Sequence, residues 1–203
     1  LLDSEETKRV EAAIAAVEAR SAGEVVVATV ARSDAHSGDR VIAAALAACA
    51  LAALLNMLWP GLPAVYLLLL QLPLALLLWT LFGLPALLRL VVPGERLSGV
   101  VQERATQMFL ERGIFETRDR TGVLILVSAL ERRAVILGDK GIHARVQMDG
   151  WKKYADQIAA AVAAGRTGAG LVDVIEEIGA LLGDKVPVRE GDTDELSNKI
   201  VTE

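Results

Sequence analysis

Between Val41 and Leu88 the chain has no Asp, Glu, Lys or Arg. No soluble core needs an uncharged run of that length, so a purely soluble protein is excluded. Cysteine is equally scarce. The single Cys49 rules out an intrachain disulfide and leaves the redox compartment open. Aromatic residues make up only 4% of the chain, and Gly and Pro stay at 17 and 6, which excludes fibrous and disordered classes. Basic residues do not outnumber acidic ones (21 against 26, net −5), so nothing suggests a nucleic-acid footprint. The apolar run is preceded by an amphipathic, acidic segment, unlike the basic start and short early apolar core of a signal peptide.

Outside that run the chain reads as an ordinary soluble α/β domain. Asp3-Ser4-Glu5-Glu6 opens a helix whose apolar face is Val10, Ile14 and Val17. The β-branched run from Glu24 to Ala31 predicts a strand buried on both faces. Beyond the apolar run, 96–112 has helical spacing. Gly122 to Ala129 and Arg133 to Gly138 form a hairpin across Leu130-Glu131-Arg132. Ile142 to Val146 fits a short helical turn, Asp149 caps a helix from Gly150 to Ala164, and Ala169 to Leu182 is the last helix. The first strand cannot fold alone and must pair with the later hairpin. The expected fold is therefore α/β, a small sheet of three or four strands flanked by helices and interrupted by a two-helix transmembrane hairpin. Its parts are a discontinuous domain over 1–40 and 93–187, a hairpin over 41–92 and an acidic C-terminal tail over 188–203.

The hairpin divides at Trp59-Pro60-Gly61-Leu62-Pro63, a helix break, into spans of about 41–58 and 64–84. Trp59 and Tyr66 stand near the turn, Trp79 and Phe82 near the other interface, as aromatic belts require. The turn carries no charge, whereas Arg32, Arg40, Arg89, Arg96 and Arg104 flank the two ends. The positive-inside rule then puts both soluble arms in the cytoplasm, as for a bacterial inner-membrane protein.

Several segments in this order carry a family resemblance: GEVVVATVARS after the first helix, FLERGIFETRDRTGVLILVSALERRAVILGDKGI, AGRTGAGLVDVIEEIGALL and the DTDELSN tail. Together they resemble the TPM domain, named for a thylakoid lumen protein, a photosystem II repair protein and a nematode receptor modulator. The layout is most similar to a bacterial membrane form with a two-span insert after the first strand. The resemblance implies either service in membrane-complex repair or assembly, or acid phosphatase activity with a divalent cation such as calcium or magnesium. Two departures stand out. Arg120-Thr121-Gly122 replaces the family's Asp-Asn-Gly turn, and Gly138-Asp139-Lys140-Gly141-Ile142-His143 replaces Gly-Tyr-Gly-Leu-Glu-Gly.

The acids expected to meet at one end of the sheet are Asp34 and Asp39 after the first strand, Asp119 before the second and Asp139 after the third, with Asp149 beside them. Asp34, Asp119 and Asp139 are the metal candidates; caps and turns are the structural alternative for each. His36 and His143 add imidazoles that suit zinc, but without HExxH or CxxC spacing. The turn at Gly138 to Ile142 offers N–H groups and Lys140 to an anion, although it lacks the P-loop pattern. No catalytic constellation emerges. The expected function is a membrane-tethered, non-catalytic module that binds a protein partner at the bilayer. A divalent-cation-dependent phosphatase is the alternative.

Overall fold

The structure is a computed structural model that describes residues 2–144, 149–188 and 195–203. The expected turn residue Val146 and the side chain of Asp149 lie outside the described residues. The chain divides into two compact units, one formed by residues 1–33 and 98–203, the other by residues 34–97.

In the first unit, helix α1 (Ser4–Glu18) starts with a capping box: Asp3 accepts from the N–H groups of Glu5 and Glu6, and Glu6 reaches back to the Asp3 N–H. Strand β1 (Glu24–Val30) follows. Helix α5 (Gly94–Glu111) crosses from one unit to the other, the chain having passed through α2, α3 and α4 of the second unit. Then come β2 (Gly122–Ser128), β3 (Arg133–Gly138), the short α6 (Lys140–His143), α7 (Asp149–Ala163), α8 (Thr167–Lys185) and β4 (Val201–Thr202).

The sheet has the order β3-β2-β1-β4. β1 pairs with β2 in parallel, Glu24 opposite Gly122 and Val30 opposite Ser128, so the segment before the insert does rejoin the strands after it. A parallel pair requires a crossover, and here the crossover carries the whole second unit and α5. β2 and β3 form the expected antiparallel hairpin. Alternate residues serve opposite faces, which explains why the strands read as unbroken apolar runs. Val25, Val27, Val123, Ile125 and Val127 pack with α1, α7 and α8. Val26, Ala28, Leu124 and Leu126 pack with Val101, Ala105 and Met108 of α5.

The C-terminal segment is more than an acidic tail. Its β4 pairs in parallel with β1, and Leu196 and Val201 join the α5-side core. The carboxylate of Glu24 accepts from the N–H groups of Glu195 (3.2 Å) and Leu196 (3.3 Å). Glu203 pairs with Arg104 and with Arg112.

The second unit holds α2 (Ser37–Leu58), α3 (Ala64–Leu81) and the short α4 (Pro85–Val91). α2 and α3 are long and apolar enough to cross a membrane, at about 33 Å and 27 Å for their 22 and 18 residues. α3 continues through Pro73. Ala44, Ala48 and Ala52, four residues apart, are the buried positions of α2, while large side chains such as Leu46, Leu69, Leu72 and Leu76 are exposed. Small residues on one face let two helices approach closely where lipid supplies no hydrophobic drive between them. Cys49 is exposed, on a face away from that alanine row, and not the buried small residue its surroundings suggest.

Candidate functional site

Within the helical unit, the loop ahead of α2 folds tightly around His36. This residue has a left-handed backbone (φ 50°), tolerable for a residue whose neighbours hold it. Its N–H donates to Asp34 Oδ1 at 3.2 Å, and its Nδ1 lies 3.3 Å from Asp39 Oδ2. The imidazole is almost fully buried. One ligand atom each from Asp34, His36 and Asp39 come within 4.8 Å of one another, a spacing that could hold a cation. Arg96 already reaches the same carboxylates, 3.6 Å from Asp34 and 3.7 Å from Asp39. Its guanidinium neutralises one of two negative charges, so a divalent ion meets half the attraction the acids alone would offer. The network also ties together the two ends of the helical unit. Arg40 strengthens that closure, donating to the Trp79 carbonyl at 2.8 Å and lying 4.5 Å over the Trp79 ring.

Of the three metal candidates, Asp119 precedes β2 and Asp139 follows β3, at the same end of that antiparallel pair. β1 runs parallel to β2, so it leaves the sheet at the end opposite the one where β2 begins and β3 ends. Asp34 belongs to the helical unit, while Asp119 and Asp139 belong to the sheet unit. Asp139, only 5% exposed, receives Arg120 Nε at 2.7 Å and caps α6 through the Lys140 N–H. Asp119 lies 3.9 Å from Arg118. Each of these two acids thus lies beside an arginine, which offsets its charge toward a cation.

The turn at Gly138 to Ile142 is likewise committed to the fold. Gly141 N–H donates to the Arg120 carbonyl, and the N–H groups of Ile142 and His143 donate to the Asp139 carbonyl. Those amides have no capacity left for an anion. His143 sits at the exposed end of α6 and does not approach His36 in any metal-ligating group among the described residues.

Sequence reasoning passed over one buried charge. Glu131, in the link between β2 and β3, is fully buried. Its carboxylate accepts from the Ser33 N–H at 3.2 Å and from the Ser128 hydroxyl. It fastens the chain leaving β1 to the β2–β3 link. The local sequence offers no signal for this, because a glutamate between two strands normally faces water. Arg96 was missed as a partner of Asp34 for a similar reason: some sixty residues separate them.

Residues 90–181 match the TPM domain. The chain is also similar to the NMR structure of BA42 protein from the psychrophilic bacterium Bizionia argentinensis. That likeness has a TM-score of 0.62 and 24% identity, and covers 100% of this chain and 96% of the other. At that identity it speaks for the fold. No match is found among proteins of curated function. The four-stranded mixed sheet between helices is the fold expected from the resemblance, and residues 90–181, which include β2, β3 and most of α8, match the TPM domain.

Proposed function

We propose that this protein is a membrane-tethered TPM-like module that binds a protein partner and serves in assembling or maintaining a membrane complex. The observation that carries the reading is the exposure of α2 and α3: only 17% and 0% of their most apolar windows are buried. Covering that surface with lipid is favourable at about 25 cal/mol per Å², and the sheet unit is then confined to a thin layer at the bilayer. The non-catalytic part is supported by the arginines beside Asp119 and Asp139 and by the lack, among the described residues, of a metal-ligating group beside the sheet. The arginines flanking an uncharged turn support a bacterial inner-membrane protein with its soluble domain in the cytoplasm.

Orientation has a direct test. In a Cys49→Ser background, Gly61→Cys in the turn is expected to react with an impermeant maleimide from the non-cytoplasmic side of sealed vesicles. Reaction only from the cytoplasmic side would overturn the topology. Capture of a partner in native membranes, lost when the sheet unit is unfolded, tests the binding role.

A second reading is a divalent-cation-dependent activity, favoured by the approach of Asp34, His36 and Asp39. Under the leading reading, calcium, magnesium, manganese or zinc leaves the melting temperature within about a degree. An ion binding there at a hundredfold its Kd would add about 2.7 kcal/mol, or about 5–10 °C for a chain of this size. Such a rise, abolished by Asp34→Asn and enhanced by Arg96→Gln, would favour the second reading.

A further inference from the structure

The two edges of the sheet are finished differently. On the β1 side the chain adds its own β4. On the other side β3 is the last strand, and an unpaired edge is a template for another strand. The Asp139 N–H donates to the Gly122 carbonyl at 2.9 Å, one step beyond the Val123–Gly138 pair. Bonded and non-bonded pairs alternate along an antiparallel ladder. Residues 133, 135 and 137 therefore direct their backbone groups to β2, whereas Ala134 and Ile136 direct theirs outward. Among the described residues no other strand takes those outward groups.

A cleft of about 630 Å³ runs along this edge. Ser98 and Gln102 of α5 wall one flank, Trp151 and Lys152 of α7 the other, and residues 133–136 form its floor. Consecutive strand residues point to opposite faces, so a cavity touching all four lies along the edge itself. Four residues of strand span about 13 Å, enough for a short extended peptide.

The chemistry of the cleft defines the occupant. Arg133 lines it and Arg132 precedes it; neither has a carboxylate partner among the described residues. The indole N–H of Trp151, a residue only 5% exposed, has no hydrogen-bond acceptor among the described residues. Lys152 is already paired with Asp156 at 3.0 Å. The groups open to an occupant are thus the Arg133 guanidinium, which spends one N–H on the Arg132 carbonyl at 3.3 Å, and the indole donor of Trp151, and both seek carboxylate or carbonyl oxygens. We propose that the edge of β3 takes up an extended, acidic peptide segment of a partner protein as a fifth strand. This rests on the partner-binding reading and gives that partner its docking mode, main-chain pairing with side-chain selection in the flanking pockets.

Selection of displayed random octapeptides against the full chain in lipid nanodiscs tests it. Enriched peptides are expected to alternate apolar residues with Asp or Glu. Ala134→Pro removes an outward N–H without touching the β2 ladder, as an edge strand tolerates, and is expected to weaken binding at least tenfold. N-methylation of alternate peptide residues should give the same loss with the unaltered protein, which covers any misfolding of the proline variant. Arg133→Glu should reverse the preference for acidic peptides. Failure to select peptides sensitive to Ala134→Pro and to N-methylation overturns the proposal, as does dimerisation of the chain through β3. Cross-linking to a protein partner through another face, with β3 silent, overturns the docking edge but leaves the module reading intact. Absence of any cross-linked partner removes both.

Discussion

Replacing Glu131 by alanine is expected to lower the melting temperature of the full chain by about 6–20 °C. The side chain is fully buried and accepts from Ser33 N–H and from Ser128 Oγ. Truncation strands both donors where water does not compensate them, at about 1–3 kcal/mol each. The cavity left by the lost methylenes adds to this, for a total of about 3–5 kcal/mol. At about 2–4 °C per kcal/mol for a chain of this length, the shift is large. Glu131→Gln retains an acceptor and should cost about half as much. Glu177→Ala is the control. Its carboxylate is 3.8 Å from Lys153 and both side chains are well exposed, so the change should stay within about 0.5 kcal/mol. Thermal unfolding of the three variants in one detergent decides the matter; equal small shifts would show that the buried carboxylate fastens nothing.

Gly122→Ala is expected to be nearly as damaging, at about 3 kcal/mol, through a different mechanism. A Cβ at this position would run into the Ile114 carbonyl oxygen and lie 2.7 Å from Ile114 Cγ2. Ile114 is fully buried in the short 3-10 turn Ile114–Glu116. The obstacle includes backbone, so it cannot rotate away, and overpacking of this kind costs about 1–3 kcal/mol or more. Gly122 also opens β2 opposite Glu24, so displacement weakens the central strand pair. Gly99→Ala offers the converse. Nothing lies within 4 Å of the added Cβ on α5, and the change should stabilise by up to about 1 kcal/mol. The same unfolding measurement checks both; a harmless Gly122→Ala would refute the close packing of the Ile114 turn on β2.

The sequence revealed what depends on pattern and concealed what depends on distance. Unbroken Val, Ile and Leu runs at 24–30 and 122–128 identified strands covered on both faces, because each residue parity meets its own core. The charge-free stretch located α2 and α3 to within a few residues. Strand direction was not legible, since a long insert permits either sense; the pairing of β1 with β2 is parallel. β4 was missed because two residues carry no periodicity. Asp139 was correctly seen as a cap and turn residue, but its arginine partner could not be chosen among Arg118, Arg120 and Lys140 without coordinates. The cation-binding geometry of Asp34, His36 and Asp39 was half visible, as a Ser-Asp-Ala-His loop; Arg96, which offsets it, was not.

The parallel register of β1 against β2 imposes an order of events on synthesis. The partners lie about a hundred residues apart. At about 5–20 residues per second, β1 emerges from the ribosome roughly 5–20 s before the strand that completes it. During that interval both apolar helices, α2 and α3, also emerge, ahead of the strand that closes the sheet. The insert therefore acts as a timer on maturation, and the nascent β1 is a natural client for a holding chaperone until Ser128 has been made.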